Sequence, residues 1–345
     1  MSNQMSALAK TEPREGLWRI EAPVPEPGPD DVLIKVKRTA ICGTDLHIWR
    51  WDEWAQKTIP VPMIVGHEFA GEIVEIGGRV SRPLKPGLRV SGEGHIVDLN
   101  SAASRAGRFH LDPNTRGIGV NRQGAFAEYL SLPAFNVVPL PPEVSDDAGA
   151  LLDPLGNAMH TVQQFDLLGE DVLITGAGPI GIMAAAIARR AGARSVVVTD
   201  FNDFRLGLAA KFADVRPVQL AREDLHDVMV EQGIADGFGV ALEMSGAPQA
   251  LEQCVDALAM GGKLALLGLP AKSIDTNWGK IILKALTVKG VYGREMFETW
   301  RKMLGLLHAG FDLDALITHR VPANDYDSAF ATALSGQTGK VVMAW

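Results

Sequence analysis

The sequence predicts an α/β protein in which a doubly wound parallel sheet is joined to a second, β-rich domain. Three observations predict this. The chain has 345 residues, too long for one ordinary small domain and comfortable for two. Its first 150 or so residues are short apolar stretches separated by Pro and Gly, including Pro23, Pro25, Pro27, Pro29, Pro60, Pro62, Pro83 and Pro86. From Asp153 on, short apolar runs alternate with helical stretches, the pattern of parallel β-α-β units.

Composition narrows the function classes. Apolar residues make up 47% and charged residues 21%, which is globular rather than disordered composition. No apolar run reaches the eighteen or so residues of a membrane span, and Met1–Lys10 lacks the pattern of a secretory signal. The net charge of −8 and the lack of a basic run argue against nucleic acid as a partner. Two cysteines are too few for a disulfide framework. A cytoplasmic enzyme acting on a small molecule is the expectation.

The elements follow in order. Asp31–Arg38 alternates apolar and polar residues as a half-buried strand does, and Phe69–Ile76 and Ala125–Leu132 have similar strand character. Asp171–Thr175 is a short apolar run, followed by glycines and an Ala/Ile-rich stretch to Gly192. Ser195–Thr199 is a second run and precedes a helical pattern at Asp203–Phe212. Further strands are expected at Phe238–Met244, Lys263–Leu269 and Leu286–Val291. Phe297–Trp345 contains a helical stretch and a strand-like ending at Lys340–Trp345. It is expected to return to the first domain, giving domains of 1–154 with 296–345, and 155–295.

Gly176-Ala177-Gly178-Pro179-Ile180-Gly181 is a G-x-G-x-x-G between a strand and a helix, the context a dinucleotide-binding (Rossmann) fingerprint requires. Gly176 permits the tight turn, Gly178 the approach of a pyrophosphate, and Gly181 the close packing of helix on strand. The helix N-terminus offers N–H groups to the phosphates. Asp200 ends the second strand, 24 residues after Gly176. A carboxylate there accepts from ribose hydroxyls and repels a 2′-phosphate, so NAD is favoured over NADP. Arg205 is placed on the adenine side.

Cys42, His67, Glu68 and Asp153 supply a thiolate, an imidazole and two carboxylates from separate segments. That donor set suits Zn²⁺. Taken singly, Cys42 reads as a buried small hydrophobe and His67 as a core histidine. As a metal site, Cys42 and His67 are the first two ligands, while Glu68 and Asp153 compete for the third.

The stretch Gly66–Val80, GHEFAGEIVEIGGRV, resembles the signature of the zinc-containing alcohol dehydrogenase family in the medium-chain dehydrogenase/reductase superfamily, glycine for glycine. Thr39–Trp49, Trp51–Met63, Val90–Ile96 and Tyr292–Trp300 resemble, more narrowly, its threonine-oxidising branch. The resemblance runs nearly end to end. It implies a GroES-like first domain and Cys42, His67 and Glu68 as ligands of one catalytic zinc, with Asp153 beside the metal. It also implies Thr44 and His47 as a proton relay and His95 facing substrate. Ile180, Asp200, Arg205, Leu267, Gly268, Leu269, Val291 and Tyr292 would line the NAD site. The implied reaction is oxidation of the 3-hydroxyl of L-threonine to 2-amino-3-ketobutyrate. The alternatives are a vicinal diol or polyol dehydrogenase and a non-catalytic NAD-binding protein. The family's tetramers imply a homotetramer, with a strand near Leu286–Gly293 pairing across a two-fold axis.

The chain departs from the family in one lobe. The four cysteine positions of a second, structural zinc fall on Asp98, Ser101, Ser104 and Asp112. Serine and carboxylate oxygens are poor substitutes for four thiolates, so no structural zinc is expected. The lobe around 97–116 must then be held by packing or be mobile. Cys254 reads as core, His160 as structural, and Trp49, Trp51 and Trp54 as packing. His110, His226 and His308 have no evident partner, and Glu298 is a support for the cofactor pocket or a subunit contact.

Overall fold

A computed structural model of the chain describes residues 3–270 and 272–345. They divide into two units: 3–154 with 295–335 and 340–345, and 155–270 and 272–294 with 336–339. Residues 336–339, expected with the first domain, group with the second. There Asn202 Nδ2 donates to the Gly336 carbonyl at 3.0 Å.

The first unit is built on a mostly antiparallel sheet. Its order is Val137–Pro139, Arg89–Gly92, Glu68–Ile76, Asp31–Ala40, Lys340–Ala344 and Ile317–Pro322, with Tyr129–Pro133 also paired to Asp31–Ala40. Asp31–Ala40 is central in the sheet. Val32, Ile34 and Val36 are buried while Lys35 is exposed, as the alternation over Asp31–Arg38 predicts, and Leu33 alone departs from it. Of the expected Ala125–Leu132 strand, only the second half joins this sheet. Ala125 and Phe126 instead donate to the carbonyls of Gly66 and Val65. A small sheet of Trp18–Pro23, Gln4–Lys10 and Met63–Ile64 completes the unit.

Register places the site. Ala40 lies opposite Glu68 on one side and Val342 on the other. Three neighbouring strands therefore deliver residues 42, 68 and 340 to one place.

The second unit is a six-stranded parallel sheet. Its order is Arg216–Gln219, Ser195–Asp200, Asp171–Thr175, Phe238–Glu243, Leu258–Leu266 and Thr287–Gly290. The inner strands are almost wholly buried, as strands covered on both faces are. Connections run outward in both directions from Asp171–Thr175 and Phe238–Glu243. The carboxyl ends beside this reversal form the usual ligand-binding crevice of a doubly wound sheet. The fifth strand ends at Leu266 rather than Leu269, because the N–H groups of Leu267 and Gly268 both turn to the Glu243 carbonyl. The last strand is limited to Thr287–Gly290. Among the described residues, no helix is long and apolar enough to cross a membrane.

Candidate active site

Cys42 caps the helix Gly43–Arg50, and its N–H donates to Asp45 Oδ2 at 2.9 Å. This capping box satisfies an otherwise orphaned amide and fixes the direction in which the thiol leaves the strand. Gly66 precedes His67 with φ +88°, and a Cβ there would fall 2.2 Å from the Phe126 ring. Only glycine lets the backbone turn so close to that wall. Glu68 then begins its strand fully buried.

Donor atoms of Cys42, His67 and Glu68 lie within 4.8 Å of one another. Among the described residues this is the only group of three or more His, Cys, Asp and Glu side chains so arranged. His67 Nδ1, Glu68 Oε1 and Asp45 Oδ1 are buried with no hydrogen-bond partner. Native interiors rarely leave such atoms unmatched, and a cation is one way to match them. Burial disfavours a charge on His67, but Cys42, Asp45 and Asp153 outweigh that and hold its pKa well above the usual imidazole range. The field at this point is negative, which also favours a cation. The thiolate, imidazole and carboxylate fit Zn²⁺.

Asp153 is buried but stands outside the group of three. It acts on His67, Glu68 and Asp45 through its charge. Two contributors were not legible beforehand. Lys340 Nζ donates to Glu68 Oε2 at 2.5 Å and to the Ile41 carbonyl at 2.7 Å. Burial works against the Lys340 ammonium, but Glu68 and Cys42 outweigh it and keep it charged. Asp45 is the other, and burial raises its carboxyl pKa.

Thr44 and His47 share a face of Gly43–Arg50, as their spacing predicts for a helix. Thr44 Oγ1 lies 3.9 Å from Cys42 Sγ. His47 Nδ1 is held by Asp52 Oδ2, whose other oxygen caps the next helix through the Ala55 N–H. His95 lies beside the buried Glu93, with its Nδ1 3.2 Å from Glu93 Oε1.

In the second unit, Gly178 caps the helix Pro179–Arg190. A Cβ on Gly181 would fall 2.0 Å from the Gly176 carbonyl, so helix and strand are closer than any other residue permits. Ile180 sits in the first turn. Asp200 Oδ2 accepts from the Ala177 N–H at 2.7 Å, and Oδ1 accepts from Phe201 and Asn202. The acid therefore braces the glycine loop as well as lying at its strand's end. Arg205 follows on the helix Asp203–Phe212, with Nε buried and unpartnered. A cleft of about 880 Å³ lies here, lined by Gly176, Asp200, Phe201, Leu220, Met229 and Ser245. Leu267, Gly268 and Leu269 follow the fifth strand, and Val291 and Tyr292 the sixth. Leu269 and Tyr292 are strongly exposed. Glu243, buried at the end of the fourth strand, receives the N–H groups of Ser245 and Gly246.

In the lobe, Asp112 Oδ2 accepts the Asp98 N–H at 2.7 Å and Oδ1 the Asn114 N–H at 3.2 Å. Ser101 caps the short helix Ala102–Arg105 through the Ser104 N–H. His308, expected to lack a partner, pairs with Glu143 at 3.0 Å. His160 Nδ1 bonds the Gly293 carbonyl.

A fold of this topology with a buried S/N/O donor set and a glycine-cradled nucleotide crevice defines a metal- and nicotinamide-dependent dehydrogenase. Residues 28–142 match the alcohol dehydrogenase GroES-like domain and residues 179–309 the zinc-binding dehydrogenase domain. The chain belongs to this zinc-binding alcohol dehydrogenase family. It is 63% identical over 342 residues, covering 99% of this chain and all of the relative, to L-threonine 3-dehydrogenase of Ruegeria pomeroyi. The crystal structure of 2R,3R-butanediol dehydrogenase from Bacillus subtilis superposes with a TM-score of 0.89 at 26% identity, covering 99% of each chain. A protein from Sinorhizobium meliloti 1021 described as a zinc-binding dehydrogenase, bound to NADP, superposes with a TM-score of 0.90 at 28% identity over 99% of each chain.

Proposed function

We propose that this chain oxidises the 3-hydroxyl of L-threonine to 2-amino-3-ketobutyrate and passes the hydride to NAD. One observation carries the chemistry: Cys42, His67 and Glu68 converge in a buried site with ring and carboxylate atoms that no protein group satisfies. The choice of threonine is supported by the Ruegeria relative, 63% identical against 26% for the butanediol enzyme.

Cys42, His67 and Glu68 would hold one zinc ion, and Asp153 would tune it through its charge. Zinc, when bound, acidifies a hydroxyl in contact with it. NAD, when bound at the glycine turn, would supply the hydride acceptor. The chain's own residues move the proton. Thr44, one helical turn from His47, would receive it and pass it on. Asp52 fixes the His47 ring and stabilises the imidazolium that forms. His47 is exposed, so the proton reaches solvent from there.

The Asp200 carboxylate favours NAD, because a 2′-phosphate beside it would meet like charge. Asp98, Ser101, Ser104 and Asp112 offer no thiolates, so a single zinc per chain is the reading. The exposed edge strand Thr287–Gly290 supports assembly into a homotetramer through edge pairing.

Initial rates with L-threonine, butane-2,3-diol and a hexitol, each with NAD and NADP, test the proposal. The highest kcat/KM is expected for L-threonine with NAD. A higher value for the diol would overturn the choice of substrate.

A further inference from the structure

Two segments, Val90–Ile96 and Tyr292–Trp300, meet at a buried carboxylate, where Trp300 of the second donates to Glu93 of the first. We propose that Glu93 is a positioning residue for substrate recognition: it fixes the His95 imidazole, and Trp300 locks Glu93 in turn. This rests on the reading of the chain as a threonine dehydrogenase with His95 at the substrate.

Glu93 is fully buried. Its Oε1 accepts the His95 N–H at 3.0 Å and lies 3.2 Å from His95 Nδ1. Its Oε2 accepts the Trp300 indole N–H at 2.9 Å. Trp300 is itself buried on the helix Glu298–His308. Asn136 completes the frame, since its amide donates to the carbonyls of Glu93 and His95 at 2.8 Å each and its carbonyl accepts the Glu93 N–H. The rings of Phe135, next to Asn136, and Phe297, three residues before Trp300, pack edge-on with centroids 5.0 Å apart. The segment also lies against the metal-binding group, for a Cβ on Gly94 would be 3.9 Å from His67 Cβ.

A carboxylate offers a separate acceptor oxygen to the indole and to the amide, which a side-chain amide with its single oxygen could not do, although burying its charge is unfavourable. What the charge adds falls on His95. A carboxylate beside Nδ1 puts the proton on that nitrogen and holds the ring in one orientation. Side-chain exposure is 23% for His95 and zero for Glu93, so the ring is open to solvent on one edge while its anchor is not. A fixed imidazole at this place distinguishes a 2-amino-3-hydroxy acid from an alcohol with no charged groups. Such discrimination is large where a polar site is left unmatched by the wrong substrate.

Kinetics of Glu93→Gln, Trp300→Phe and the double variant, with L-threonine and with butan-2-ol, test this alongside zinc content. Glu93→Gln is expected to raise KM for L-threonine about tenfold, as loss of one charge-assisted contact does. The ratio of kcat/KM for L-threonine to that for butan-2-ol should fall with it. Trp300→Phe should move the ratio in the same direction by a smaller factor. The double variant should be no worse than Glu93→Gln alone, because both act through one contact. Parallel losses on the two substrates, or an unchanged ratio, would overturn the inference. Should Glu93→Gln fail to fold, Trp300→Phe decides alone, since it removes the N–H while keeping an aromatic ring at that place. A wild-type chain that does not oxidise L-threonine would instead sink the functional reading beneath it.

Discussion

Glu68 lies 2.5 Å from Lys340, and neither side chain reaches solvent. Burying two charges is expensive, so such a pair is weak support for stability on its own. Its consequence here is positional: one carboxylate oxygen is bound to the ammonium while the other, Oε1, is left without a hydrogen-bond partner. Replacing Lys340 by Met strands a buried carboxylate and is expected to cost about 3–5 kcal/mol, measurable by chemical unfolding. Unfolding that matches the unsubstituted chain would show that Glu68 does not depend on the pair. The two thiols differ as sharply. Cys254 is fully buried, and burial pushes its pKa up to about 12, whereas Cys42 is half-buried. A thiol reagent on the native, metal-stripped chain should label one cysteine quickly, and zinc should protect it. Two fast thiols would contradict the burial of Cys254. At this scale the grouping of Cys42, His67 and Glu68 was legible, because chemistry-bearing residue types stand in two short motifs. Lys340 was not, since it reaches Glu68 across 272 residues through a strand pairing that no local pattern encodes.

Among the elements, the parallel strands with their glycine turn were readable because buried β-branched runs followed by helix are distinctive. Strand ends were less so. Lys263–Leu269 looked continuous, yet two amides turning to Glu243 stop it at Leu266. Over Asp31–Arg38 the alternation holds except at Leu33, which is buried along with its neighbours on either side. The lobe is tied together by hydrogen bonds to one carboxylate. Asp112 receives backbone N–H groups from both sides of the lobe. Burial works against its charge, but the amides of Asp98 and Asn114 and the Ser101 hydroxyl outweigh this and hold its pKa below the usual carboxylate range. The proposed absence of a zinc here rests on this hub. Asp112→Ala is therefore expected to speed proteolytic cutting within 97–116, while a chelator leaves the wild-type rate unchanged. Chelator-accelerated cutting there would point to a metal in the lobe instead.

For the whole molecule, the nucleotide-binding unit presents an open sheet edge. Every residue of Thr287–Gly290 is exposed, and Ile282 and Leu283 beside it are more than 70% exposed. An unprotected edge next to large apolar side chains is a pairing surface. Light scattering is expected to give a mass of several chains, and Val288→Lys to give a smaller species that still binds NAD. A wild-type monomer would remove the assembly from this account. The proposed chemistry turns on one metal ion that Cys42, His67 and Glu68 would hold. Titration of the metal-stripped chain with Zn²⁺, followed by NADH formation from L-threonine, tests this most directly. Activity should rise from zero in a straight line and break at one equivalent per chain. Full activity before any metal is added, or a break at two equivalents, would contradict it.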